Sequence, residues 1–414
     1  MSIRWITPVL GTAPALEVLR QPGDFVIIDV REMVDKSGNR SETVREKIDQ
    51  GVQSLRQGHR TIVCCDYGIS RSNAVAAGIL SLYEGIQFVA AVKRVQRATG
   101  ELEIKSEPLQ AVRRALGENV RERLPGSRRR VMVTGASGFI GKTLLPLLES
   151  KFDLLTPARD EIDIEAGSTQ LSVFLLEHDA DCVIHLANPR VYTSNKAFGI
   201  TLTMLRNVLD ACSSVGAKLI YLSGWEVYSA YSGHLYADEK LPLHAKGPYG
   251  DAKYFCENLI GKYRDLTDLQ CAILRSGPVY GFGSDRPKFI FNFLEKALAG
   301  SLLTTHCYAN GHPALDLMHV NDLAQAIALA LHEDVTGDFN LGTGVLTNTF
   351  KIASDIVQMV GSRSEVKSIL LDASTASIAM NNDKARKALG WSPSVPIEEG
   401  LKSLIKQRID HARK

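Results

Sequence analysis

The sequence predicts an α/β protein in two parts, the larger a doubly wound parallel sheet. Three observations carry that expectation. Short β-branched runs alternate with apolar stretches at helical spacing, a glycine-rich turn separates one such run from a helix near residue 134, and a charged stretch with Pro-Gly, ENVRERLPGSRRR, interrupts the pattern at 118–130. At 414 residues the chain exceeds a typical single domain. The expected division is one domain over 1–117, a linker over 118–130, and a second domain over 131–414 with a sheet core and a smaller C-terminal region.

In the first part, FVIIDV (25–30) reads as a buried strand and SETVREKIDQGVQSLRQG (41–58) as an amphipathic helix. TIVCC (61–65) reads as a second strand and SNAVAAGILSLYEG (72–85) as an apolar helix. The second part opens with the strand RVMV, a glycine loop and the helix KTLLPLLES. The runs LLTPA, CVIHLA, KLIYLS and CAILRS follow, with helical stretches between them. That alternation calls for a parallel sheet covered by helices on both faces.

Charged residues make up 23% and hydrophobic ones 45% of the chain, and the formal net charge is +2. Those values fit an ordinary globular protein and give no reason to expect a nucleic-acid or membrane partner. No run approaches the roughly 18 apolar residues of a membrane span. MSIRWITPVL lacks the apolar core of a leader peptide. Seven cysteines without framework spacing point to a reducing, cytoplasmic setting. Without a C-x-x-C pair or clustered histidines, no metal site is expected.

Two loops carry chemistry. The first is CDYGISRS. A strand ends at Cys65, Gly68 lies within the loop, and a helix opens near Ser72. Backbone amides of Asp66, Tyr67, Gly68, Ile69, Ser70, Arg71 and Ser72 would converge beside the positive end of a helix dipole, and the Arg71 fork suits phosphate oxygens. The same field would hold Cys65 as a nucleophilic thiolate. The loop resembles the C-x5-R-S signature of cysteine-dependent tyrosine and dual-specificity phosphatases, over roughly residues 20–117. The resemblance implies a cysteinyl-phosphate on Cys65 and a general acid at Asp35, with Asp29 as the fallback. It departs from the family at Cys64, where a histidine is usual.

The second loop is TGASGFIG. Gly135, Gly138 and Gly141 allow a tight turn, close approach of a pyrophosphate and close helix–strand packing. Further on, Tyr249 and Lys253 stand four apart in GPYGDAKYFCENLI, on one helix face. A cation there would lower the phenol's pKa, so that the phenolate removes a substrate proton while hydride leaves. With HLAN (185–188), RSGPVYG (275–281), MHVND (318–322) and KARKALGWSP (384–393), the set resembles the extended short-chain dehydrogenases of the NAD-dependent epimerase/dehydratase family. The resemblance implies a Rossmann-type core over nearly all of 130–412. It places the cofactor on Gly135, Ser137, Gly138, Phe139, Ile140, Asp163, Ile164, Leu186, Ala187, Tyr249 and Lys253, and implies a homodimer. The second strand ends at Ala158 rather than Asp or Glu, and Arg159 follows. That favours the 2′-phosphate of NADP over NAD.

Departures bear on the substrate. The family's Ser or Thr, four residues before Tyr228, is Gly224, which leaves the neighbouring Ser223 as the candidate hydroxyl. Glu226 falls where dTDP-glucose 4,6-dehydratases carry a catalytic glutamate, but the companion aspartate is Trp225. Leu315 and Leu371 stand where nucleotide-sugar members hold the diphosphate with arginine. Arg286 or Lys288 are the alternative cations. These losses favour a sugar phosphate, a nucleoside or nucleotide, or a cyclitol.

The two loops together predict a bifunctional enzyme that hydrolyses a phosphomonoester and oxidises, reduces or epimerises a phosphorylated, sugar-like small molecule. Two other readings stand. In one, an NAD(P)-dependent epimerase/dehydratase acting on a nucleotide sugar carries an inactive phosphatase-like binding module. In the other, a protein phosphatase carries a redox-sensing dehydrogenase-like half.

Overall fold

The computed structural model describes residues 3–19, 23–36, 38–101, 103–117, 127–189, 191–267, 269–284 and 288–412. Six strands lie side by side in the order Gly337–Leu341, Cys271–Ser276, Lys218–Gly224, Cys182–His185, Arg129–Thr134 and Phe152–Leu155, and every neighbouring pair is parallel. The interior strands are rich in Val, Ile and Leu and buried on both faces, as helices packed on either side of a sheet require. From Arg129–Thr134 the chain moves outward to Phe152–Leu155, then returns to build Cys182–His185 on the other side. That reversal opens a crevice at the carboxyl ends of the strands, where open α/β sheets bind ligands.

A smaller region follows in the chain. The helices Lys288–Leu298, Thr349–Val360 and Ile397–Ala412 bury Ile290, Phe293, Ile352, Ile356, Leu401 and Leu404 in a core of their own.

Residues 4–117 build a second sheet, ordered Arg4–Trp5, Leu10–Pro14, Thr61–Cys65, Val26–Asp29. Thr61–Cys65 is fully buried and pairs in parallel with a neighbour on each side. The core of this unit takes in Val173 from the helix Ser168–Glu177 of the larger part. The two parts also exchange polar contacts. Ile104 N donates to Thr169 Oγ1 at 2.7 Å, Thr169 Oγ1 donates to Ile104 O at 3.2 Å, and Arg113 Nη1 donates to Ser214 O at 2.9 Å.

Several sequence expectations shift at their edges. The linker does not extend to 130, because Arg129 and Arg130 already belong to the first strand of the large sheet. Their charge looked like linker, but Arg129 Nη1 donates to Leu331 O at 2.6 Å and Arg130 N to Asp181 Oδ2 at 2.8 Å. Residues 118–126 of that linker lie outside the described residues, as does Arg286. The strand expected at LLTPA stops at Leu155, since Pro157 has no N–H for a ladder. The helix expected from Ser72 starts one residue earlier, at Arg71. Leu10–Pro14 was not foreseen as a strand.

Candidate functional site

The glycine loop sits where the strand order reverses. Gly135 has φ of +71°, and a Cβ there would lie 2.8 Å from Ala187 N. Only glycine fits a left-handed turn against that backbone. Gly138 N donates to Gly135 O at 3.0 Å, and the helix Phe139–Leu148 opens directly afterwards. Its first-turn amides face the crevice, the arrangement that receives a pyrophosphate.

Two adjoining clefts meet at this loop. One, of about 950 Å³, is lined by Gly135, Ser137, Arg159, Asp163, Ile164, Ala187, Asn188 and Lys196, among others. The other, of about 650 Å³, is lined by Gly135, Gly138, Phe139, Ile140, Leu186, Ala187, Tyr192, Ser223, Gly224, Glu226, Tyr249 and Lys253, among others. Every residue expected at the cofactor therefore faces one cleft or the other. Asn188 Oδ1 is buried without a hydrogen-bond partner and faces both. An orphaned acceptor beside a glycine turn suits a donating hydroxyl of a dinucleotide, and the helix N-terminus suits its phosphates. Asn188, Lys196 and Tyr192 were missed as lining residues. Asn188 had a signal in HLAN, whereas Lys196 had none.

Arg159 lies in the larger cleft with its side chain three-quarters exposed, 3.1 Å from Glu165 and 3.6 Å from Asp163. At the end of the neighbouring strand, His185 Nδ1 is 2.8 Å from Thr134 Oγ1. Burial, then Lys253, pulls its imidazole down to about 3, so it is neutral.

Tyr249 and Lys253 rise from the helix Gly247–Leu266. Lys253 Nζ donates to Leu222 O at 2.7 Å and Tyr221 OH at 3.3 Å, and lies 5.6 Å from the Tyr249 ring centroid. Tyr249 packs on Tyr192 with ring centroids 4.5 Å apart. The expected lowering of the Tyr249 pKa is reversed. Burial pushes the phenol up, and the Glu226 carboxyl adds to the shift. The ammonium donates to Leu222 and Tyr221, and burial of the phenol outweighs it.

Ser223 also differs from expectation. Its hydroxyl is buried and donates to Glu257 Oε1 at 2.6 Å. Glu257 in turn grips Arg275 at 2.7 Å, and Arg275 reaches Tyr228 OH at 2.9 Å and Asp338 at 3.2 Å. Ser223 thus belongs to a buried ionic network, and its proton is not offered to the cleft. The carboxyl that faces Tyr249 is Glu226, pushed up to about 7 by burial.

The second loop lies in the smaller sheet unit. Cys65 closes the strand Thr61–Cys65, and Arg71 opens the helix Arg71–Glu84. Between them Gly68 has φ of +66°, and a Cβ there would lie 2.5 Å from the Ala13 carbonyl carbon. Cys65 Sγ donates to Ser72 Oγ at 3.4 Å. Arg71 Nη1 is pinned by Met33 O at 2.9 Å, and its Nη2 donates to Asp66 Oδ2 at 2.6 Å. Asp35 lies 3.6 Å from Arg71 Nε and accepts from Lys105 Nζ at 2.8 Å. Ser70 Oγ accepts from Lys105 N at 3.0 Å, Ile69 is half-buried, and Tyr67 is exposed. Asp29 is paired with Arg31 at 2.6 Å, which holds its carboxyl below the usual range and disfavours it as an acid. Cys64 is fully buried, and burial pushes its thiol up to about 12, which makes it a packing residue.

Among the described residues no His/Cys/Asp/Glu cluster suits a metal, and no helix is long and apolar enough to cross a membrane.

Known proteins resemble the larger part. A UDP-glucose 4-epimerase from Mycolicibacterium smegmatis is 28% identical over 309 residues, covering 67% of this chain and 97% of that protein. UDP-glucuronic acid decarboxylase 1 of Xenopus tropicalis is 26% identical over 304 residues, covering 67% of this chain and 72% of its own. The crystal structure of Thermus thermophilus UDP-glucose 4-epimerase in complex with NAD superposes with a TM-score of 0.59 at 25% identity, over 69% of this chain and 99% of that one. RMD from Pseudomonas aeruginosa, solved with NADPH, shares the fold with a TM-score of 0.60 at 21% identity, over 68% of this chain and 99% of its own. The structural neighbours thus bind NAD or NADPH, the cofactor class expected from the glycine loop. The family model for "NAD dependent epimerase/dehydratase family" matches residues 131–342, which leaves the first 130 residues outside it. The chain belongs to the NAD-dependent epimerase/dehydratase family.

Proposed function

We propose that the chain is a bifunctional enzyme that interconverts a hydroxyl and a ketone on a sugar-like, phosphorylated small molecule and hydrolyses a phosphomonoester at a separate site. The observation that carries the first activity is the convergence of Tyr249, Lys253 and the Gly135 turn on one cleft. The residues present fit a dinucleotide. The helix Phe139–Leu148 would hold its pyrophosphate, Asn188 and Lys253 would reach its hydroxyls, and Arg159 favours a 2′-phosphate and hence NADP. When bound, the dinucleotide supplies a hydride acceptor. Lys253, fixed by Leu222 O, would position the sugar hydroxyl against Tyr249, which takes its proton. The relatives named for UDP-sugars suggest a nucleotide sugar. Against that, the diphosphate arginines are missing: Leu315 lies in a two-residue strand and Leu371 ends the strand Val366–Leu371.

For the second activity, Cys65 would attack phosphorus, the phosphorus–oxygen bond would break, and Asp35 would protonate the leaving alcohol. Water would then release phosphate from sulfur. The cradle of Gly68, Arg71 and Ser72 around Cys65 supports this reading. One observation favours a non-hydrolysing module instead: Asp66 already occupies one arm of the Arg71 fork, Nη2.

The test is direct. Bound dinucleotide is identified by mass spectrometry after denaturation. Hydride transfer is then followed with UDP-glucose, UDP-glucuronic acid and sugar phosphates, and phosphatase activity with p-nitrophenyl phosphate. Tyr249→Phe should abolish only the redox step and Cys65→Ser only hydrolysis. Retained redox activity in Tyr249→Phe defeats the first assignment. No hydrolysis by the intact protein selects the inactive module.

A further inference from the structure

The position where a serine or threonine hydroxyl is expected, four residues before Tyr228, is Gly224. Its space is not empty. A Cβ placed on Gly224 would run into Glu226 Oε2. Gly224 is extended, and the turn Trp225–Tyr228 that follows folds the Glu226 side chain back over the strand end. The helix carrying Tyr249 rides on that turn, since a Cβ on Gly250 would lie 3.0 Å from Glu226 O and 3.3 Å from Ser229 Oγ. Gly224, Glu226, Tyr249 and Lys253 line one cleft.

We propose that Glu226 takes over the place of the missing hydroxyl and accepts the proton that Tyr249 relays from the substrate. The inference rests on the hydroxyl–ketone reading of this cleft. In the step, the substrate O–H proton passes to the Tyr249 oxygen as the tyrosine's own proton passes to a Glu226 oxygen. The carbon's C–H electron pair leaves as hydride to the dinucleotide. The phenol stays neutral throughout, and Glu226 ends protonated.

The electrostatics agree with the geometry. Burial and Glu226 push the Tyr249 phenol up, so a resting phenolate is disfavoured. Glu226 is pushed by burial to about 7, against the pull of Lys253, so it exchanges protons near neutrality. Two carboxylate–phenol anions at such a site oppose each other, and one proton shared between them is the stable state. Of the other titratable groups around the cleft, His185 is neutral, and Glu257 is engaged by Arg275 and Ser223.

An infrared pH titration of the free protein tests this without substrate. The expected result is a buried carboxyl with a midpoint of about 7. It is lost in Glu226→Gln, and because the proposed relay requires the Tyr249 hydroxyl to donate to the carboxylate, its acid constant falls about tenfold in Tyr249→Phe. Carbon-13 NMR of labelled tyrosine rings, compared between wild type and Glu226→Gln, reads the same contact from the phenol side should Tyr249→Phe misfold. The Tyr249 ionisation should become easier when the anion is removed. An unchanged midpoint in Tyr249→Phe, an unchanged Tyr249 titration in Glu226→Gln, or no carboxyl lost in Glu226→Gln overturns the proposal. Failure to bind NAD or NADP would sink the hydroxyl–ketone reading instead, and these titrations of the free protein would still decide the role of Glu226.

Discussion

Asp66 reaches across the mouth of the Cys65 loop and accepts from Arg71 at 2.6 Å. An anion entering the loop meets a guanidinium whose fork is already half taken. The carboxylate is more than half exposed, so salt screens it, but it still competes for the Nη2 donor.

Asp66→Asn should therefore raise the affinity for orthovanadate by about three- to tenfold at low ionic strength, with the gain shrinking as salt is added. Vanadate titration followed by intrinsic fluorescence measures it. Equal affinity in both proteins would mean that Asp66 swings clear of the loop.

Ser223→Ala should be a stability variant rather than a catalytic one. It removes a hydrogen bond to a carboxylate buried in the Arg275 network, at a cost of about 1–3 kcal/mol. Urea unfolding should show that loss, while the chemical step of hydride transfer stays within about twofold of wild type. A large fall in turnover with unchanged stability would return Ser223 to the reaction.

Gly135→Ala should cost dinucleotide binding outright. The added methyl faces Ala187 N at 2.8 Å, and the left-handed turn disfavours any side chain. Calorimetry with NADP should detect no binding at concentrations that saturate the wild type.

The raised Glu226 pKa also sets a pH dependence of folding. Its folded value, about 7, lies above the 4.5 of an unperturbed carboxyl. The folded protein therefore holds its proton where the unfolded chain has released it. Stability from this group is highest below about 4.5, falls as pH rises from there towards 7, and is flat beyond. The fall is on the order of 1–3 kcal/mol. In Glu226→Gln that part of the slope should vanish, as melting temperatures across pH 4.5–8 will report.

Much of the architecture was legible in advance. Thr61–Cys65 and Cys182–His185 are short, Val- and Ile-bearing, and bounded by turn residues, so they stood out as buried strands. The residues that line the two clefts around the Gly135 turn were legible because that turn imposes a sequence that few other structures need. Side-chain direction was not. Nothing in YLSGWEVYS says that the Ser223 hydroxyl points at Glu257, thirty-four residues away, or that Glu226 folds back over Gly224. The desolvation that reverses the Tyr249 shift comes from the surrounding tertiary packing, to which local spacing is blind. Arg129 and Arg130 failed as linker residues for a similar reason, since their partners Leu331 and Asp181 lie far along the chain.

The reciprocal pair between Ile104 and Thr169 has a practical meaning for anyone who cuts the chain. A fragment beginning at residue 127 would keep the whole six-stranded sheet but bare Thr169, Val173 and the carbonyl of Ser214 to water. Such a fragment should be stickier and less soluble than the intact protein. The first 117 residues would then serve as a built-in cover for the second part.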